Sequence, residues 1–141
     1  MCRALFFLCA FLFSMVCVSA APTLEKRLDR WGKGTWYNPQ DPAQNGGFTT
    51  NACGGKDKDS DLLVAMSTTF FRNNKGVNCN QYVRLTNTAN GKVTYARMRD
   101  SCVGCGYNDL DMSPATFKKL APLSQGIVKI KWNFMKKGWK P

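Results

Sequence analysis

Between Thr94 and Phe117 the chain reads TYARMRDSCVGCGYNDLDMSPATF, which brings two carboxylates, a Cys-x-x-Cys pair and a helix start into one short stretch. Asp100 closes an apolar-alternating run. Asp111 stands just ahead of Ser113-Pro114, the pattern of an N-cap followed by proline at the first helical position. Both aspartates are thereby expected at element ends, where binding and catalytic side chains concentrate. Two neighbouring carboxyl groups suit acid and base work, because like-charge repulsion from Asp100 would raise the pKa of Asp111 and let it donate a proton. A strand end and a carboxylate favouring a helix N-terminus would explain the same pair without chemistry. The chain has no histidine, so His-dependent acid, base or metal chemistry is excluded.

The cysteines divide by position. Cys2, Cys9 and Cys17 fall within MCRALFFLCAFLFSMVCVSA, a stretch with one arginine, an apolar run and a small-residue ending, which reads as a secretory signal peptide over 1–20 cleaved after Ala20. Lys26-Arg27 then resembles a dibasic processing site, so that 21–27 is a possible propeptide and 28–141 the mature domain. Cutting 27 residues from 141 leaves 114, enough for one domain with one core. The survivors are Cys53, Cys79, Cys102 and Cys105, an even count that in a small secreted chain implies two disulfides with three possible connectivities. A zinc site would want paired Cys-x-x-Cys knuckles, and only one is present. No metal or cofactor is expected.

Charge narrows the partners. The whole chain carries +11; removing Arg3, Lys26 and Arg27 from 20 basic residues and Glu25 from 9 acidic ones leaves 17 against 8, or +9. Such a chain favours anionic surfaces, acidic polysaccharide among them. A secreted location and the lack of a basic groove interleaved with aromatics argue against nucleic acid. Nothing after the leader is apolar enough to span a bilayer, and a monomer is expected.

The elements that must position the aspartates follow from the same rows. WGKGTWYN is a strand flanked by glycines, with aromatic rings beside the surface. PQDPAQNGGFTTNACGG is a turn-rich loop pinned by Cys53, and KDKDSD is a charged turn. Leu62 to Met66 is a buried strand, while 68–74 fits a short helix or a loop equally. YVRLTNTANGKVTYARM is two alternating runs joined through Asn90-Gly91, a hairpin signal whose second strand ends at Asp100. A helix is predicted from Ser113 to Leu120, with Phe117, Leu120 and Ala121 as its apolar stripe. A closing strand follows Gly126, with Val128, Ile130, Trp132 and Phe134 on one face. About six short strands with one or two short helices point to a mainly all-β, compact barrel rather than a helical bundle or a doubly wound sheet.

Gly-x-Gly-Thr-Trp-Tyr, Ala52-Cys53-Gly54, Val64-Ala65-Met66, Arg99-Asp100-Ser101-Cys102 and Leu110-Asp111-Met112-Ser113-Pro114-x-x-Phe117 occur in the order found in expansin-like domains. The chain resembles the rare lipoprotein A-like double-psi β-barrel and, within it, the small fungal loosenins related to barwin. The resemblance implies a six-stranded double-psi barrel with an open polysaccharide groove, in which Asp111 is the acidic residue central to wall loosening. Asp100 and Thr35 match its groove neighbours; Trp36, Tyr37 and Tyr107 match its aromatic contacts approximately. It further implies that Cys53 pairs with Cys79, and Cys102 with Cys105. Full expansins carry a second, cellulose-binding domain, and the chain ends just after its last barrel strand, so weak binding to crystalline cellulose is expected. Related family 45 glycoside hydrolases place a second catalytic aspartate on the first strand, where this chain reads Thr35-Trp36-Tyr37-Asn38, and asparagine cannot act as a base.

Three functions follow from these readings. One is a secreted protein that binds cell-wall polysaccharide (cellulose, chitin or a matrix glycan) and loosens it without hydrolysis. Another is an interaction or effector-type module of barwin-like fold. The third is a glycan-cleaving enzyme using Asp111, which the missing first-strand carboxylate disfavours.

Overall fold

The computed structural model describes residues 27–44, 47–48 and 50–141; the signal peptide expected over 1–20 and residues 21–26 of the expected propeptide lie outside the described residues. Six strands form: β1 (Arg30–Trp36), β2 (Leu63–Ser67), β3 (Tyr82–Asn87), β4 (Val93–Cys102), β5 (Leu110–Met112) and β6 (Val128–Phe134). They close in the order β1-β5-β2-β4-β3-β6, which leaves no free sheet edge. The β1/β5 and β2/β4 pairs are parallel and the rest antiparallel. The all-β, six-stranded barrel expected from the sequence is the fold observed, with two helices, α1 (Thr68–Asn73) and α2 (Pro114–Leu120). The stretch that fitted helix or loop equally is therefore α1.

Each element follows from its residues. The unbroken apolar run of β2 is buried at all five positions, while β3 alternates half-buried and buried, so Val83, Leu85 and Asn87 point inward. In β6 Val128, Ile130 and Trp132 are buried, with Lys129 exposed. The β3–β4 hairpin forms where Asn90-Gly91 places it, but through a wider turn than a two-residue loop, and Gly91 adopts φ 73°. The asparagines widen it by bonding the backbone: Ala89 N–H donates to Asn87 Oδ1 at 2.9 Å and Lys92 N–H to Asn90 Oδ1 at 3.0 Å. Both amides also donate to Leu120 C=O at the end of α2, at 3.2 and 3.0 Å.

Helix α2 starts as its sequence dictates. Ser113 Oγ accepts from Thr116 N–H at 3.2 Å and Pro114 occupies the first turn, where a missing N–H costs nothing. Phe117, Leu120 and Ala121 join the barrel core. Gly32 serves the loop before β5: a Cβ there would lie 2.2 Å from Asn108 C=O, so only glycine lets 106–109 rest against β1. Asp109 then accepts from Lys33 N–H at 2.7 Å, and Asn108 C=O from Trp132 Nε1 at 2.8 Å.

Both disulfides are present, Cys53–Cys79 across a sequence separation of 26 and Cys102–Cys105 across 3. The chain-entropy model assigns the longer loop roughly 3 kcal/mol and the short ring much less. Thermal unfolding of the Cys53→Ser/Cys79→Ser variant is expected to show a loss of that order. The Cys102→Ser/Cys105→Ser variant should stay close to the native Tm, and equal losses in the two would contradict the loop-length argument.

Candidate functional site

Strand register assembles the site. Thr35 of β1 stands beside Asp111 of β5, Asp111 beside Ala65 of β2, and Ala65 beside Asp100 of β4, so four strands contribute one row. Ala65, the small residue between the carboxylates, is buried. The row depends on an irregularity: Val64 pairs with Met98, but Ala65 pairs with Asp100, and Arg99 is the extra residue. Such a bulge reverses the faces that follow it. Met98 and Arg99 are consecutively buried, and Asp100 is turned outward.

Each aspartate has a distinct environment. Asp111 Oδ1 accepts from the Thr35 hydroxyl at 2.7 Å. Its pKa is raised, chiefly by burial; the bonds from Thr35 and the Met112 backbone act against the rise without cancelling it. The expected rise is found but its cause is different, since Asp100 is not the source. The backbones of β5 and β4 are two strand spacings apart, roughly 9–10 Å. Asp100 is already occupied: Oδ1 accepts from Ala52 N–H at 2.9 Å and Ser101 N–H at 2.8 Å, and Oδ2 faces the Tyr37 hydroxyl at 3.4 Å. Burial, followed by the charges of Asp100 and Asp111, pushes the Tyr37 phenol far up, so it remains a protonated donor.

Asp111, Asp100 and Tyr37 line an open groove made of two adjoining cavities. One of about 760 Å³ is lined by Asp111, Ala65, Asp100 and residues 101–104; the other, about 410 Å³, is walled by Pro39, Gln40, Lys56, Asp57 and Lys58. Tyr37, Phe48, Thr50, Asn51 and Asp100 border both. Phe48, 69% exposed, is an aromatic face that sequence reasoning did not assign. Its signal was an isolated ring within a polar, turn-rich loop.

The structure brings Thr35, Tyr37, Asp100 and Asp111 together but separates the other aromatic candidates. Alternation along the chain turns Trp36 and Asn38 away from the groove, into a separate pocket with Pro114, Lys118 and Leu123, where Trp36 Nε1 donates to Leu123 C=O at 3.1 Å. Asn38 is thus no counterpart facing Asp111. Tyr107 rests on Phe70, ring centroids 5.1 Å apart, and lines neither groove cavity because Asp109 and Asn108 tie its loop back to β1 and β6. The donor atoms of Cys102, Cys105 and Asp111 lie within 4.8 Å of one another, but both sulfurs are spent in the disulfide and offer no thiolate to a metal.

No family profile matches the sequence. Expansin-like protein 3 of Dictyostelium discoideum is 35% identical over 71 residues, which are 48% of this chain and 20% of that protein. Among solved structures, a Clavibacter michiganensis expansin in complex with cellohexaose superposes with a TM-score of 0.64 at 20% identity, covering 81% of this chain and 54% of that one. The chain thus spans about half the length of that expansin and a fifth of the Dictyostelium relative. The Streptomyces papain inhibitor superposes with a TM-score of 0.63 at 30% identity, covering 77% of this chain and 96% of the inhibitor. With the closed six-stranded barrel, its Asp111 groove and this near-complete match in view, the chain belongs to the expansin-like double-psi β-barrel proteins.

Proposed function

We propose that this is a secreted protein, processed after Arg27, that binds a cell-wall polysaccharide strand in the groove and loosens the wall without cleaving it. The observation that carries this reading is the inequality of the two carboxyls. Asp111 is half-buried, protonated to higher pH than an ordinary aspartate, and open to the larger cavity. Asp100 spends its oxygens on two backbone N–H groups and faces the Tyr37 hydroxyl, so it is poorly placed to activate water. A lone protonated carboxyl can exchange hydrogen bonds with a glycan oxygen, competing with bonds between polymer chains, while hydrolysis lacks its base. Phe48 offers an exposed apolar ring beside it, while the buried Tyr37 contributes its hydroxyl to the groove wall. The test pairs fibre creep or dispersion with release of reducing ends. Loosening without new ends supports the reading, and new ends in proportion to loosening would make the protein a glycan-cleaving enzyme.

A second reading, a protease-blocking interaction module, is favoured by the match covering nearly all of the papain inhibitor. Val103 would supply its apolar contact, being 92% exposed at the tip of the ring closed by Cys102 and Cys105. Titration of papain with the mature protein is then expected to suppress peptide hydrolysis, with Val103→Asp relieving it by about tenfold or more. Unchanged papain activity at a large excess of the protein would remove this reading.

A further inference from the structure

The run Lys56-Asp57-Lys58-Asp59 sorts its charges by alternation. Asp57 and Asp59 are partly buried, whereas Lys56 and Lys58 are exposed. Both acids have partners: Asp57 accepts from Arg99 Nε at 3.1 and 3.0 Å, and Asp59 accepts from Gln40 N–H at 3.2 Å. Asp61 accepts from Lys58 N–H at 2.8 Å and stands outside both cavities. Of the charged side chains lining the smaller cavity, Asp57 is offset by Arg99, which leaves Lys56 and Lys58 against Asp100 alone and the balance at that end positive. The groove is therefore polarised along its length, with two lysines at one end and Asp111 at the other.

We propose that the cavity beside Lys56 and Lys58 is a subsite for an anionic sugar unit, so that the groove selects a polysaccharide bearing acid groups and sets its register against Asp111. This rests on the glycan-groove reading and specifies its substrate class. Two ammonium groups on one cavity wall suit a carboxylate or a sulfate ester, and charge-assisted contacts of this kind are among the stronger polar ones. Phe48, which borders both cavities and is exposed, would carry the intervening sugar ring.

The experiment measures binding of the mature protein to three soluble probes: an oligogalacturonate, a sulfated oligoglucan, and a neutral oligoglucan of equal length. Lys56→Gln/Lys58→Gln is expected to weaken the acidic probe it serves by about tenfold, equivalent to 1.4 kcal/mol, and the neutral probe by less than about twofold. Whichever acidic probe shows the loss identifies the group recognised, carboxylate or sulfate. Lys136→Gln/Lys137→Gln removes the same charge from exposed positions outside both cavities and should leave all three probes within about twofold. Equal weakening by the two variants would reduce the effect to overall charge and overturn the subsite while leaving the groove reading intact. Failure of the native protein to bind any probe would overturn both.

Discussion

Replacing Asp111 by Asn is expected to remove most loosening activity and to flatten its pH dependence, while folding stability at neutral pH holds or rises. The two effects share one cause. Burial raises the Asp111 pKa above the ordinary carboxylate range, so the folded protein holds this proton more tightly than the unfolded chain does. A raised folded pKa contributes stability that is fully present below the unfolded value and is lost as pH climbs through the folded one. Activity that needs the protonated carboxyl runs the same way, highest in mild acid and falling as pH rises through that raised value. Asparagine cannot ionise, yet its oxygen can still accept from the Thr35 hydroxyl, so the variant keeps its shape and escapes the cost of a buried charge at pH 7. Melting curves from pH 3 to 8 beside creep assays check both halves. Activity in the variant equal to native at every pH would take Asp111 out of the mechanism. A large neutral-pH loss of Tm would instead mean that the ionised carboxylate is structurally needed.

The second large effect is expected at Arg99, which no functional argument singles out. Its side chain is about 10% exposed and pairs with an Asp57 that is 5% exposed, and Asn51 and Asn80 complete the cluster. Arg99 C=O also accepts from Cys53 N–H at 3.1 Å, so one residue ties the loop forming the groove wall to the barrel. Removing one member of a buried ion pair leaves the other uncompensated, at a cost of about 3–5 kcal/mol. Arg99→Met should therefore lower Tm by more than about 10 °C and weaken glycan binding with it. Adding Asp57→Asn should restore part of the loss, because the stranded charge is gone. A single variant within about 1 kcal/mol of native would show that solvent reaches Asp57 and that the pair does not hold the wall.

How much of this was legible beforehand differs by element. The apolar run of β2, the alternation of β3 and β6, and the Ser113-Pro114 start of α2 state their structure locally, because burial period and capping are properties of neighbouring residues. β5 does not: three residues, Leu110–Met112, are too few to show a period, and they become a strand only because β1 and β2 flank them. The widened hairpin is a similar case. Asn87 and Asn90 answer to Leu120, 33 and 30 positions away, which no turn rule takes into account.

By itself the sequence determined the barrel class and an even set of four cysteines after residue 27; it expected Asp100 and Asp111 at element ends, whereas β4 runs on to Cys102 and Asp111 is the middle residue of β5, because pairing with neighbouring strands extends both segments. It also carried the order of short motifs by which the chain resembles its family. The tertiary structure decided which face each side chain takes. A single extra residue at Arg99 turns Asp100 toward the groove and Arg99 toward Asp57, and alternation along the chain sends Tyr37 into the groove and Trp36 out of it. A one-residue shift in register exchanges the two faces of a strand, and that register is fixed by partners far away in the chain. The same holds for the carboxyls: sequence proximity suggested mutual repulsion, whereas the barrel put a whole strand between them and left burial to raise Asp111.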